Sequence, residues 1–183
     1  MASDCARVYE RVEAAKESGF LNLSECKLTQ IPNGVFMVMK STREPEVDPP
    51  ITRLSLAKNA LKNFPSKIIR ETTLFGRLTS LDISGNKIGQ LPAELTSLDQ
   101  LTEVNLAGNK FEYLPEIVWS LPAGLKRLNL ADNSIADVDV ERIAGGGVEG
   151  LEYLDLGGNP LAERVKVGLT ALAAERGFRF VCD

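Results

Sequence analysis

The sequence predicts an α/β solenoid, in which short strands stack side by side and a return segment follows each strand. Two observations carry this prediction. The pattern L-x-x-L-x-L-x-x-N-x-L recurs six times in 183 residues, and only 23 to 33 residues separate successive Asn or Cys positions. Units this short cannot bury an apolar face alone and must share a core with their neighbours. The Asn or Cys positions are Cys26, Asn59, Asn86, Asn109, Asn133 and Asn159.

Each repeat begins with a short strand. In the fourth repeat Val104 and Leu106 alternate with polar residues, which is the period-two pattern of a strand with one buried face. Asn109 follows, and its amide can both donate and accept, so it can satisfy backbone groups that a tight turn leaves unpaired. We therefore predict six parallel strands on the concave side and a ladder of Asn side chains. Cys26 is expected to have a structural rather than a reactive role.

A proline marks the start of most return segments. It follows an apolar residue at Pro32, Pro65, Pro92 and Pro115. Proline fits a first helical turn because its φ is pre-set and its missing N–H is not needed there. We therefore predict short α-helical or 3-10 returns on the convex side. The glycines at 145–147 are predicted to lie in the fifth return, in a loop.

Both ends of a solenoid need a cover, because an open end exposes an apolar cross-section. Residues 1–19 are predicted to form a helical N-terminal cap. Its apolar face consists of Cys5, Val8, Tyr9, Val12 and Ala15. The same amphipathic segment is alternatively a helix that binds a partner.

The rest of the chain completes one predicted domain of 183 residues. The six repeats occupy residues 20–161, and residues 162–183 are predicted to form a C-terminal cap of a helix followed by a strand. Within the repeats, residues 40–50, KSTREPEVDPP, are polar and rich in proline. They predict an exposed loop inserted between the first two strands.

Composition and residue types argue against several classes of function. A net charge of −4 with no Lys/Arg cluster argues against a nucleic-acid partner. The longest apolar run, residues 34–39, is far too short to cross a membrane. Histidine is absent and the three cysteines are widely spaced, so the sequence lacks the commonest general base and any zinc pattern. We predict no catalytic residue, no metal and no cofactor.

The acidic residues do not form a catalytic pair either. Asp82 and Asp155 occupy the same strand slot but three strands apart, about 14 Å at one strand spacing per repeat. That distance is too long for a glycosidase-type carboxylate pair. The odd cysteine number and a charged N-terminus without an apolar signal core predict reduced thiols and a cytoplasmic location.

The repeat pattern resembles that of the leucine-rich repeat proteins, and the resemblance covers essentially the whole chain. The segments ARVYERVEAAKESGFLNLSECKL and NPLAERVKV are also similar to those of small intracellular members of this family. The resemblance implies a cytoplasmic interaction protein and carries over no catalytic residue.

The binding surface is predicted on the concave face, from the residues between the buried leucines. Six short strands offer a projected face of about 400 Å², whereas a standard interface needs about 800 Å² per partner. The face alone therefore suits a peptide or one helix. We assign partner contacts to eight residues: Arg53, Asp82, Glu103, Asn105, Arg127, Asn129, Tyr153 and Asp155.

Two alternatives stay open. The concave rows are equally compatible with a solvated sheet face that binds nothing. On the convex side, Ile117 and Trp119 are predicted to face solvent near Tyr113, as at a binding hot spot, unless Trp119 packs over the neighbouring return. The main hypothesis is a monomeric, non-catalytic adaptor or regulatory subunit that binds a protein. The alternative is an assembly protein that self-associates through convex or terminal surfaces.

Overall fold

A computed structural model describes residues 4–42, 49–120, 124–147 and 150–183. Its strands form one parallel sheet in sequence order, which confirms the predicted α/β solenoid. The described residues form seven strands, one more than the six predicted for the repeats. They are β1 (Phe20–Asn22), β2 (Arg53–Ser55), β3 (Ser80–Asp82), β4 (Glu103–Asn105), β5 (Arg127–Asn129), β6 (Tyr153–Asp155) and β7 (Arg179–Val181).

The helices are of several kinds, and most of them form the return segments between strands. The α-helices are α1 (Asp4–Ser18), α2 (Asn33–Thr42), α3 (Lys67–Arg70), α4 (Thr72–Phe75), α5 (Val140–Arg142) and α6 (Glu163–Arg176). Two returns are 3-10 turns, Ala93–Ser97 and Glu116–Ser120. Four returns begin one or two residues after the proline that predicts them. The fifth differs from the expected loop, because Ile143–Gly147 continues α5 as a π-helical turn.

The core is a stack of apolar residues from the middle of each strand. Leu54 pairs in register with Leu21 on one side and Leu81 on the other, and each is 1% exposed. Burying one such side chain contributes about 1.5–3 kcal/mol. Phe180 takes the same position in β7, opposite Leu154.

The predicted ladder of Asn side chains lies beside this core. Asn109 accepts from the Ile88 N–H at 3.1 Å and donates from Nδ2 to the carbonyls of Ile83 and Leu106, both at 3.0 Å. One amide thus joins its own turn to the preceding repeat. The same pattern is made by Asn59, Asn86, Asn133 and Asn159.

Arg11 closes the N-terminal edge of the sheet. Its Nη1 donates to the carbonyls of Asn22, at 3.2 Å, and Ser24, which no preceding strand could bond. The same Nη1 lies 3.4 Å from Sγ of Cys26, which is 2% exposed. Cys26 is therefore buried beneath an arginine of α1 rather than open to solvent.

One residue of the predicted apolar face of α1 lies elsewhere. Val8, Val12 and Ala15 are buried, but Tyr9 is 56% exposed. Tyr9 lies about 100° around the helix from Val8, whereas Val12 and Ala15 fall within about 40° of it. The side chain of Cys5 lies outside the described residues.

The prediction of a loop over residues 40–50 is wrong at its start, because α2 continues through Thr42. Phe36 and Met39 are buried, and the Phe36 ring meets Phe75 edge-on with centroids 6.2 Å apart. Lys40 Nζ then pairs with Glu71 Oε2 at 2.5 Å. The polar residues at the start of the segment are thus part of the helix. Residues 43–48 of the predicted loop lie outside the described residues.

Candidate functional site: the concave face

The concave face consists of three rows, because alternate strand residues leave the sheet opposite the buried leucines. The first row is Phe20, Arg53, Ser80, Glu103, Arg127, Tyr153 and Arg179. The central row is Asn22, Ser55, Asp82, Asn105, Asn129 and Asp155. The small-residue row lies two positions later, at Ser24, Ala57, Ser84, Ala107, Ala131 and Gly157. All eight residues predicted to contact a partner lie in the first two rows.

Side chains of the central row bond their own backbone. Asn105 Oδ1 accepts from the Ala107 N–H at 3.1 Å, and Asn129 Oδ1 accepts from the Ala131 N–H at 2.9 Å. Each bond satisfies a donor at the end of a strand, as in an Asx turn. Asn22, Asp82 and Asp155 make the same bond to the residue two positions on. Half of each side chain therefore serves the fold.

The other half of each side chain differs between Asn and Asp. Asn105 and Asn129 can present only the Nδ2 donor, because Oδ1 is already bonded. Asp82 presents Oδ2, which is an acceptor. Within the described ranges, no hydrogen bond involves either Nδ2 or Asp82 Oδ2. The central row is thus polar from β1 to β6 and ends at Val181 of β7. Its outward chemistry changes from acceptor to donor between β3 and β4.

Arg127 lies between two side chains of the first row. Its guanidinium carbon is 4.7 Å from the centroid of the Tyr153 ring, and its Nε is 3.8 Å from Glu103 Oε1. Both charged side chains are 54% exposed, so solvent screens the pair and it contributes little to stability. The Arg127 side chain thus contacts the ring on one side and faces the carboxylate on the other.

Arg179 extends the first row beyond the predicted site. Its guanidinium lies 5.6 Å from the Tyr153 centroid, so arginines from both neighbouring strands flank one ring. Tyr153 therefore lies within the row, between Arg127 and Arg179. The alternation of Phe180 and Cys182 could have predicted this strand, since it repeats the Leu-x-Leu spacing of Leu154 and Leu156.

The hydroxyl of Tyr153 donates to Asp155 Oδ2 at 2.8 Å. This hydrogen bond to a carboxylate raises the pKa of Tyr153 above its usual value, and partial burial raises it further. Both oxygens of Asp155 are therefore engaged, one by Tyr153 and the other by the Gly157 N–H at 3.0 Å.

Arg53 lies at the opposite end of the first row. Its guanidinium is 4.4 Å from the centroid of the Phe20 ring. Neither Arg53 nor Arg179 forms an ion pair with a carboxylate of the described chain. Arg53, next to the first residue of the row, and Arg179, at its last, thus each present a positive charge near an aromatic ring.

The convex surface around Trp119 is partly covered. Trp119 is half-buried and packs against the core, and the Arg142 guanidinium of α5 lies 4.6 Å over its ring. Trp119 therefore contacts the neighbouring return, whereas Tyr113 is 73% exposed. A cleft of about 650 Å³ lies beside them, and Val165 of α6 lines its far wall. The side chain of Ile117 lies outside the described residues.

No group of Cys, Asp and Glu within the described part of the chain is arranged to hold a metal ion. Among its helices, none combines the length and apolar character needed to cross a membrane.

Comparisons with known proteins agree with this architecture. Two family models, both described as Leucine Rich Repeat, match residues 77–98 and 125–144. A solved leucine-rich repeat protein of Leptospira interrogans is 29% identical with a TM-score of 0.57, over 70% of this chain and 30% of that one. The chain therefore carries leucine-rich repeats and has the fold of a leucine-rich repeat solenoid. Leucine-rich repeat domains generally mediate protein–protein interaction and are typically not catalytic.

Two curated relatives are both named leucine-rich repeat-containing protein 20. The human protein is 37% identical and the mouse protein 36% identical, each over 100 residues. The match covers 54% of this leucine-rich repeat chain and 50% of each relative. The chain therefore spans about half the length of the curated relatives it matches.

Proposed function

We propose that this chain is a non-catalytic protein-binding module, an adaptor or regulatory subunit, that binds a peptide segment or one helix on its concave face. The observation that carries the proposal is the half-bonded central row. Asp82, Asn105 and Asn129 are each fixed by a backbone N–H at one end and present the other end to solvent. A surface held in this way loses little conformational entropy on binding.

The shape of the face supports a segment rather than a globular partner. Seven strands at about 4.8 Å per spacing give a face about 30 Å long, but each strand is only three residues wide. A helix of about 20 residues has this length. The small-residue row allows the ligand to approach the sheet closely, since Ala107, Ala131 and Gly157 project little.

We also propose that the protein is a cytoplasmic monomer that has no nucleic-acid partner, membrane contact, metal or cofactor. Assembly through the convex surface has less support, because Arg142 covers the Trp119 ring. Light scattering at micromolar concentration tests the two states, and a dimer would favour the assembly alternative.

The concave site is tested by blocking it. Ala107→Arg places a long charged side chain in the middle of the face, and Glu94→Arg places the same side chain on an exposed position of a convex return. We expect a partner captured from cell lysate by the unmodified chain to bind Glu94→Arg equally well. Binding to Ala107→Arg should fall by about tenfold or more, as for a steric block at an interface centre. Equal capture by both variants, each with an unchanged melting temperature, would contradict the proposal.

A further inference from the structure

We propose that the C-terminal half of the concave face, strands β4–β7, binds an acidic side chain of the protein partner. The inference rests on the proposed function and adds the chemistry of the ligand. It is carried by the orientation of four side chains: Asn105, Arg127, Asn129 and Arg179.

The two asparagines form a pair of donors. Their Oδ1 atoms are bonded to the backbone at 3.1 and 2.9 Å, so each Nδ2 projects away from that bond. Neighbouring strands lie about 4.8 Å apart, which lets the two amides bond the two oxygens of one carboxylate. Ala107 and Ala131 stand beside them and leave room for the ligand.

The two arginines add positive charge on β5 and β7. A guanidinium fork binds a carboxylate through two parallel hydrogen bonds. Arg127 and Arg179 lie 4.7 and 5.6 Å from the Tyr153 centroid, and contact with the ring reduces the entropy that each arginine loses on binding. In the part of the chain that the structure describes, Arg179 has no carboxylate partner.

The carboxylates of the same strands are already engaged. Glu103 faces Arg127 at 3.8 Å, and Asp155 accepts from Tyr153 and from Gly157. Among the described residues, both oxygens of Asp155 are thus bonded and Glu103 faces Arg127, while Nδ2 of both asparagines and the Arg179 guanidinium have no protein acceptor. A carboxylate of the ligand would take the place of water at these donors. Because two arginines balance two acidic residues, the patch suits one or a few acidic side chains rather than a long acidic run.

The fold provides a matched substitution for the test. Asp82 and Asp155 occupy the same slot as the asparagines and make the same backbone bond, both at 3.0 Å. Asn105→Asp and Asn129→Asp should therefore keep the bond to the strand end and replace only the outward nitrogen by oxygen. Asp82→Asn makes the converse change on β3, outside the patch.

The experiment selects peptides from a random 12-residue phage library on the immobilised full chain and measures their affinity by fluorescence anisotropy. We expect the selected peptides to be enriched in Asp and Glu. Asn129→Asp and Arg179→Glu should each weaken binding by about tenfold or more, as expected for the loss of a hydrogen bond to a charged group. Changing the acidic residue of the peptide to its amide should have the same effect, and Asp82→Asn should cause no loss.

The outcomes separate this inference from the proposed function. Peptides that lose affinity for Ala107→Arg but not for Asn105→Asp, Asn129→Asp or Arg179→Glu bind the face by other chemistry and overturn the inference alone. Peptides indifferent to Ala107→Arg, or a selection that returns no peptide, contradict the proposed function as well. Thermal melting of each variant distinguishes lost binding from lost folding.

Discussion

Asn105 and Asn109 lie four residues apart in the same repeat and have different tasks. Asn109 is 3% exposed, and both its Oδ1 and its Nδ2 are hydrogen-bonded to backbone groups of two repeats. In Asn105 only Oδ1 is bonded, to the Ala107 N–H, and Nδ2 faces solvent. The same side chain is thus wholly structural where the chain bonds both of its ends. It is available to a ligand where the chain bonds only one.

The largest effect is expected from Asn109→Asp. The substitution places a carboxylate oxygen against the carbonyls of Ile83 and Leu106, which accept from Nδ2 at 3.0 Å. A buried charge facing acceptors should lower the free energy of unfolding by about 4 kcal/mol. Urea unfolding followed by circular dichroism measures it. A loss below about 1 kcal/mol would mean that the ladder is not a structural requirement.

A smaller loss is expected from Asn133→Ala. This change leaves the Phe111 N–H without the acceptor it has at 3.1 Å, whereas the Leu106 carbonyl still accepts from Asn109 Nδ2. One unpaired buried N–H should cost about 2 kcal/mol, measured in the same unfolding experiment. Ser134→Ala, at the exposed next position, serves as the control and should change stability little.

A smaller loss of stability is expected when the Tyr153–Asp155 hydrogen bond on the concave face is removed. Tyr153→Phe should cost less than about 1 kcal/mol at this half-buried site. Because the pKa of folded Tyr153 is raised, its stabilising contribution is complete below the pKa of a free tyrosine. That contribution is lost as the pH rises through the raised value. Ultraviolet titration of the phenol should show Asp155→Asn bringing the pKa back toward its usual range.

The smallest effect is expected from Asn105→Asp, the partner of the first substitution. Oδ1 can still accept from the Ala107 N–H, and the new oxygen faces solvent, so the free energy of unfolding should stay within about 0.5 kcal/mol. The unfolding experiment compares it directly with Asn109→Asp. Similar losses in the two variants would remove the distinction between the two rows.

Much of the fold was predictable because its causes are local. The period-two leucines place strands, the prolines place the starts of returns, and the amide of Asn109 has the donors and acceptors that a tight turn needs. The predictions were wrong where contacts with another part of the chain determine the local structure. Lys40 was expected in a loop, but Glu71 pairs with it at the end of a longer helix. Tyr9 matched an apolar pattern and yet lies outside the buried face of α1. The division into caps and six repeats stays a prediction.

The sequence could predict which residues lie on the candidate surface but not which contacts their side chains make. All eight predicted residues lie on the concave face, because side-chain alternation along a strand follows from backbone geometry. Their contacts join residues about two dozen positions apart, such as Glu103 with Arg127 and Arg127 with Tyr153. Arg179 lies in the first row only because β7 pairs with β6.

The sequence by itself therefore determined the repeating frame, with its buried leucines, its turn asparagines and the side of the sheet that faces solvent. These follow from strand periodicity and from the hydrogen-bonding capacity of each side chain. Only the tertiary structure decided which atom of Asn105 or Asn129 faces outward, and which charges are already neutralised. The reason is physical: an amide points its donor outward only when a particular backbone N–H holds its acceptor. An arginine is neutralised only when the register brings a carboxylate beside it.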